Sequence, residues 1–228
     1  MKSDPLANND KRQALVLLTG ITANSAKKSH LLSYFQQNSR FSVFLPGLCQ
    51  YFGVKFAANQ LVRFLDHHKL ADFSKCHFIC YISGGLILRS ALASQPLANT
   101  GRIVYIRSPF QELLPGLAIQ KYGRLPTLIR YGKMLLDLTS QLKMEPAIAA
   151  AETGVVIERG LSASALQMGL KKSDFERYRH RSDFVMPPAL ETLTTPLSHD
   201  EVYTNDELLE TLNRFIQSGH FKVNPNVG

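Results

Sequence analysis

The stretch from Lys75 to Ala93, KCHFICYISGGLILRSALA, constrains the fold of this chain more than any other feature. An apolar run ends at Gly84 and Gly85, and apolar residues then resume at helical spacing. A continuous apolar run is typical of a strand that is covered on both faces of a sheet. Glycines at the end of such a run allow the backbones of strand and helix to approach closely. The segment therefore predicts a buried strand that turns sharply into a helix.

The same alternation of strand and helix extends along the chain. Short apolar runs predict strands over residues 13–18, 40–45, 75–82, 102–106 and 153–158. Helical spacing predicts helices over residues 27–38, 55–68, 84–94 and 205–219, with Asn205 or Asp206 as the last N-cap and Gly219 just past its end. In the second helix, one apolar stripe is expected to contain Phe56, Ala57, Leu61, Phe64 and Leu65. Strands that alternate with helices favour parallel pairing, so we expect an α/β three-layer sandwich around a mostly parallel sheet, as one domain over residues 1–228.

Charge and cysteine content exclude several functional classes. The net charge is +8, but the densest basic cluster, residues 171–181, includes two acids, and no interleaved basic and aromatic motif predicts nucleic-acid binding. Three cysteines argue against a disulfide framework, and the N-terminal residues lack an apolar signal segment, so a cytoplasmic location is expected. In the strand CHFIC, Cys76 and Cys80 share one face and His77 lies on the other, so neither a metal nor another cofactor is expected.

Five segments in order carry a family resemblance. They are LVLLTGIT (15–22), HFICYISGGLILRSAL (77–92), RIVYIRSPFQ (102–111), HRSDFVMPPAL (180–190) and PLSHDEVYTNDELLETLNRFIQSGHF (196–221). Together they resemble the α/β-hydrolase fold, and specifically its compact bacterial esterase/lipase-like members. The resemblance extends from about residue 13 to residue 221. It implies that the fourth segment is a loop with a catalytic residue, and that the last segment is a loop with a second one and the helix that follows it.

The resemblance places Ile82 where the family has its nucleophile. The family motif is Gly-x-Ser-x-Gly, with the serine on a strained strand-to-helix turn and small residues on either side. Cys80 and Gly84 flank Ile82 at these positions and are small, whereas Ser83 in the same frame would bring the bulky Tyr81 to the crowded position. Isoleucine has no group that a base can activate. Because it is β-branched, its presence at positive φ would be strained, unless the turn relaxes.

The rest of the site is implied by the same resemblance. Asp183 would be the triad acid and His199 the triad histidine. The amides of Ile21 and Ser83 would form the oxyanion hole, with Thr19 in the loop position where histidine is usual. The residues alone leave other roles open, because Asp183 and His199 can simply cap local backbone and Ser83 can satisfy a free amide at the start of its helix.

The insertion at about residues 111–146 has two interpretations. Its apolar residues Leu125, Leu128, Ile129 and Leu136 lie near helical spacing, between Lys121, Arg124, Arg130 and Lys133. The segment is expected to be a cap helix packed on the domain. Alternatively, an amphipathic basic segment can lie on an anionic membrane surface.

Three functions remain compatible with the sequence. The favoured one is a non-catalytic binding or regulatory protein that uses its free amides to hold a small acyl or carboxylate ligand. The second is an active carboxylesterase or lipase that uses Ser83 with His199 and Asp183. The third is a peripheral scaffold that docks on membranes through the basic insertion.

Overall fold

A computed structural model of the chain describes residues 12–21, 23–107, 109–140, 152–167, 171, 173 and 189–222. The strands are β1 (Ala14–Leu18), β2 (Ser42–Phe44), β3 (Cys76–Tyr81), β4 (Thr100–Arg107), β5 (Thr153–Gly160) and β6 (Glu191–Ser198). The helices are α1 (Ser25–Asn38), α2 (Val54–His67), α3 (Ser83–Ser94), α4 (Pro109–Tyr122), α5 (Arg124–Tyr131), α6 (Lys133–Ser140), α7 (Ala163–Gln167) and α8 (Asp206–Ser218). Short 3₁₀ turns cover Leu70–Asp72 and Glu201–Tyr203.

The six strands form one sheet in the order β2-β1-β3-β4-β5-β6, and every neighbouring pair is parallel. The five strands predicted from apolar runs are present. Because the strands are parallel, their carboxyl ends meet at one edge of the sheet, where ligands bind in open α/β sheets.

The sixth strand was not predicted. The segment before His199 was expected to be a loop, but Glu191–Ser198 pairs with β5 along the sheet edge. Three threonines and Pro196 replace the apolar run that marks the other strands. Proline is tolerated here because an edge strand has one unpaired side. His199 therefore follows directly on a strand, which fixes where its backbone lies.

Two apolar layers cover the two faces of the sheet. Successive residues of β1 point to opposite sides, so Val16 packs under α2 and α3 whereas Leu15 and Leu17 pack under α1 and α8. The first layer contains Ala57, Leu61, Phe78, Ile87 and Ala91, and the second contains Leu31, Phe35, Ile79, Leu212 and Phe215. The predicted three-layer sandwich is thus confirmed.

The predicted ends of α8 agree with the structure, whereas the predicted apolar stripe of α2 agrees only in part. The Asn205 side chain accepts from the Leu208 amide at 2.8 Å, and Gly219 ends α8 at φ 87°. In α2, however, the predicted apolar stripe is too wide, since Phe56 is 44% exposed. The Phe56 ring instead contacts the exposed ring of Phe52, with centroids 5.1 Å apart.

Three helices, α4 to α6, follow β4 where the insertion was expected. Their apolar residues do not all face inward. In α5 the buried side chain is Thr127, whose hydroxyl donates to the Gly123 carbonyl at 2.7 Å. Leu125 and Ile129 are instead exposed to solvent, at 66% and 67%. None of the helices in the described part of the chain combines the length and apolar character needed to cross a bilayer.

His77 is a buried polar residue that closes an irregularity between β3 and β4. Two residues, Gly101 and Arg102, lie opposite His77 at a register shift, and the His77 Nδ1 accepts the Arg102 amide at 2.9 Å. Its Nε2 therefore carries the proton and donates to Gln13 Oε1 at 3.1 Å. Burial, together with the nearby Arg102, Lys75 and Arg40 charges, lowers the pKa of His77 to about 4.

This shift predicts a loss of stability in mild acid. The unfolded chain binds a proton at His77 near pH 6.5, whereas the folded chain does so only near pH 4, so the folded state is progressively disfavoured as the pH falls between these values. The free energy of unfolding should fall by about 2 kcal/mol more between pH 7 and pH 5 in the native protein than in His77→Gln. Urea denaturation at both pH values measures this difference. Parallel pH profiles for the two proteins would contradict it.

Candidate active site

The bend between β3 and α3 falls on Ile82. Its backbone has φ 35° and ψ −92°, which makes it one of two non-glycine residues with positive φ in the described part of the chain. A β-branched residue at positive φ is strained, on the order of 1–3 kcal/mol. The turn has therefore not relaxed to suit isoleucine. The Ile82 amide donates to the Ile106 carbonyl at 3.1 Å, so this bend is tied to the end of β4.

Gly84 explains why the bend is tight. A Cβ atom at Gly84 would collide with the carbonyl oxygen and side chain of Leu18, at the end of β1. On the other side of Ile82, Cys80 is fully buried in the sheet. The small residues thus lie two positions before and after Ile82, at the spacing of the family motif.

His199 follows β6 and pairs with a carboxylate on the neighbouring strand. Its Nδ1 lies 3.2 Å from Oε1 of Glu158, near the end of β5, and both side chains are buried. The strands are pinched together beyond this point, since a Cβ at Gly160 would collide with the Ser198 amide. Glu158 is fully buried, and its Oε2 has no hydrogen-bond partner among the described residues. A buried carboxylate beside imidazole orients the ring.

Sequence reasoning did not single out Glu158. The available signal was a lone carboxylate that closes the apolar run GVVIE at the carboxyl edge of the sheet. The acid expected from the resemblance, Asp183, lies outside the described residues. Its role stays a prediction.

Tyr203 connects the histidine with the loop after β1. Its ring is 5.6 Å from the His199 ring and stacks on Tyr81 at 4.1 Å. The phenol oxygen accepts the Gly20 amide at 3.1 Å. Burial raises the pKa of Tyr203 well above its usual value, so the phenol stays neutral. The stacked tyrosines thus bring His199 close to the strand that ends at Ile82.

The expected oxyanion-hole residues belong to a hydrogen-bonded network. The Ile21 amide donates to Ser83 Oγ at 3.2 Å, and this hydroxyl donates to Gln50 Oε1 at 2.8 Å. Gln50 Nε2 then donates to the Thr19 carbonyl at 2.7 Å. Ser83 is 1% exposed, and within the described residues its hydroxyl bonds to neither nitrogen of His199. The Ser83 amide starts α3, so it has no acceptor within the helix.

Asp200, next to His199, is hydrogen-bonded to α1 and α7. It accepts from Lys27 Nζ at 2.6 Å and from the Ala163 amide at 3.2 Å. Burial opposes its ionisation, but these two donors hold the pKa of Asp200 below its usual value. Asp200 thus fixes the turn after His199 against α1. Across the described ranges, no cluster of three or more His, Cys, Asp or Glu side chains is arranged to hold a metal ion.

Comparisons with known proteins bear on the fold of the chain. No family model and no curated protein matches the chain by sequence. Among solved structures, the chain is similar to the mature lipase BlEst2 of Bacillus licheniformis, with TM-score 0.68 and 15% identity over 94% of this chain and 95% of that one. It is also similar to a lipase-esterase related protein of Clostridium acetobutylicum (TM-score 0.53, 14% identity, 92% and 96% covered) and to a Bacillus anthracis bromoperoxidase (0.57, 8%, 91% and 92%). The chain therefore has the α/β-hydrolase fold, and esterases and lipases are among its structural neighbours.

The strain at Ile82 predicts an unusual order of stability. In a strand or helix, alanine is normally more stable than glycine by roughly 0.5–1 kcal/mol. At residue 82 glycine adopts the positive φ without strain. The free energy of unfolding of Ile82→Gly should therefore be about 1 kcal/mol higher than that of Ile82→Ala. Ile79, buried in β3, is the matched control and should show the normal order. Urea denaturation of the four variants measures both differences, and an alanine advantage at residue 82 would contradict the strain.

Proposed function

We propose that this α/β-hydrolase-fold protein does not hydrolyse esters and acts as a binding or regulatory protein. The observation that carries the proposal is the backbone of Ile82, which has the bend and the flanking small residues of a nucleophile elbow without a nucleophilic side chain. An alkyl group has no lone pair with which to attack a carbonyl. The fold of the neighbouring esterases and lipases alone does not imply their activity.

The contacts of Ser83 speak against the alternative of a displaced nucleophile. A catalytic base must reach the hydroxyl proton directly or through one water. The proton of Ser83 goes instead to Gln50, and the Ile21 amide occupies a lone pair of the same oxygen. Attack by Ser83 would need both hydrogen bonds to break inside a buried site.

The direct test is hydrolysis of short-chain nitrophenyl esters. The native protein should match a buffer blank, and a fluorophosphonate should leave its mass unchanged, because nothing at residue 82 can be acylated. In Ile82→Ser, a hydroxyl replaces the alkyl group at the bend, and measurable turnover and labelling at residue 82 should appear. Stoichiometric labelling of native Ser83 would contradict the proposal, and an inert but normally folded Ile82→Ser would contradict the placement of residue 82 at the nucleophile position.

Second substitutions in the Ile82→Ser background identify the supporting groups. His199→Ala should abolish the gained turnover, because the base is lost. Glu158→Gln should lower it by about 10²-fold or more if Glu158 orients His199, and Asp183→Asn should leave it unchanged. The reverse result for the two acids would assign the role to Asp183, as the sequence resemblance implies. Equal activity with and without His199 would overturn the assignment of the whole site.

A carboxylate ligand remains part of the proposal, with a condition set by the hydrogen bonds. The Ser83 amide at the start of α3 can donate a hydrogen bond to a carboxylate oxygen. The second expected donor, the Ile21 amide, already donates to Ser83 Oγ. A ligand that uses both amides must therefore displace the Ser83 hydroxyl, which weakens its binding.

Removal of that hydroxyl should strengthen carboxylate binding. In Ser83→Ala the Ile21 amide loses its acceptor, so short- and medium-chain fatty acids should raise the melting temperature more than they do in the native protein. Ser94→Ala is the control, since Ser94 lies at the other end of α3 and donates to the Ala91 carbonyl. Thermal shift measurements over a range of ligand concentrations compare the three proteins. Equal shifts in all three would exclude the Ile21 amide as a ligand donor.

A reducing compartment is also part of the proposal. Cys49, Cys76 and Cys80 are free thiols, and the last two are buried. Burial raises the pKa of Cys76 to about 12 and that of Cys80 well above its usual value, so both stay protonated and unreactive. Free thiols are compatible with the cytoplasmic location expected from the sequence.

A further inference from the structure

We propose that the protein docks on anionic lipid bilayers through one exposed surface, the aromatic–basic face. Its apolar residues are Tyr51 and Phe52 in the loop before α2, Phe56 in α2, and Leu125 and Ile129 in α5. Its basic residues are Lys55, Lys121, Arg124 and Arg130. The inference does not rest on the proposed lack of hydrolysis, because it concerns a different surface and predicts a different observable.

The apolar part of the face is large and solvent-exposed. The five side chains are between 44% and 67% exposed, although each is a large apolar or aromatic residue. The rings of Tyr51 and Phe52 contact edge to face at 5.6 Å, and those of Phe52 and Phe56 at 5.1 Å. Contiguous exposed apolar groups of this kind mark interaction sites, whereas single exposed apolar residues do not.

Hydrogen bonds join the two parts into one surface. The Tyr51 hydroxyl donates to the Ile129 carbonyl at 3.1 Å, and the Lys133 amide donates to the Tyr51 carbonyl at 2.7 Å. Leu125 and Ile129 are four residues apart in α5, so their side chains lie on the same side of that helix. The loop that contains Tyr51 is therefore hydrogen-bonded to α5 near its end and to the first residue of α6.

The charge of these segments has a single sign. Residues 46–63 and 115–136 contain six lysines and arginines and no aspartate or glutamate, in a chain whose net charge is +8. Lys55, Lys121, Arg124 and Arg130 are exposed. Lys121 and Arg130 lie 5.5 and 5.3 Å from the ring centres of Tyr122 and Tyr131. Lys133 is partly neutralised by Asp137, with which it forms an ion pair.

This combination fits an anionic bilayer better than a protein partner. Aromatic side chains settle at the level of the lipid headgroups, and surrounding lysines and arginines attract anionic lipids. A bilayer offers negative charge uniformly, which suits a face with one sign of charge. Protein interfaces instead depend on charges that are matched pair by pair.

The face also adjoins the candidate site. Gln50, which accepts the Ser83 hydroxyl proton and donates to the Thr19 carbonyl, immediately precedes Tyr51. Docking would therefore bring the loop that contains Gln50 to the lipid surface.

Vesicle sedimentation tests the proposal with the intact protein. It should sediment with phosphatidylcholine vesicles that contain 30% phosphatidylglycerol, should sediment much less with pure phosphatidylcholine, and should be released as salt is raised, because part of the attraction is screened. Binding should weaken on the order of 100-fold in the triple variant Lys55→Gln, Arg124→Gln, Arg130→Gln, because each lost charge is expected to weaken it about five-fold. Phe52→Ala with Phe56→Ala should lose about ten-fold or more at low salt.

The matched control removes three charges elsewhere. Lys69, Lys75 and Lys222 are exposed and lie near the amino edge of the sheet, so changing all three to glutamine alters the net charge equally. This control should bind vesicles within about two- to three-fold of the native protein, since distant charges are screened. Equal losses in the two triple variants would mean general charge attraction and would overturn the assigned face.

Two further results would contradict docking on a membrane. Absence of sedimentation with anionic vesicles at low salt is the first. The second is a dimer in sedimentation velocity that Phe52→Ala with Phe56→Ala converts to a monomer, because the face would then be covered by a second copy of the chain. Circular dichroism of the variants should remain native, since every substituted side chain is exposed.

Discussion

The close approach of α3 to β1 is the constraint on which the site depends. Gly84 lies against the Leu18 carbonyl, so the chain must reverse within a few atoms of the end of β3. Ile82 is at that reversal and adopts a backbone conformation that an L-amino acid with a branched Cβ disfavours. Because β3 and α3 are both packed in the core, the position of each fixes the backbone between them. Ile82 therefore has to adopt the strained conformation.

The surroundings of Ile82 keep the features of a polar site. Glu158 and His199 are paired inside the protein, and Tyr203 accepts the Gly20 amide. Such groups are costly to bury alone and stabilise the fold only as a set, since removal of one partner leaves the other unsatisfied. Their retention therefore needs no catalytic explanation. The Ser83 hydroxyl has the same character, because it accepts the hydrogen bond of the partly buried Ile21 amide.

The sequence predicted what depends on local pattern. Continuous apolar runs indicated β1 to β5, Asn205 and Gly219 indicated the ends of α8, and small residues at Cys80 and Gly84 indicated where the bend lies. Strand β6 was not predicted, because it lies at the edge of the sheet, lacks a continuous apolar run and contains Pro196. Glu158 and Gln50 escaped for a different reason. Their importance comes from contacts with residues 41 and 33 positions away, which no local pattern encodes.

The hydrogen bond between Gly20 and Tyr203 has a consequence for the order of folding. The two residues are separated by 183 positions, so the loop after β1 stays incomplete until the 3₁₀ turn after β6 has been synthesised. Chains are made from the N-terminus at roughly 5–20 residues per second, and the strands β1 to β4 are available many seconds before this contact can form. During that interval, the Gly20 amide lacks its Tyr203 acceptor. A ribosome-bound chain thus differs from the finished molecule in the loop after β1, whose last tertiary hydrogen bond depends on a residue made near the end of synthesis.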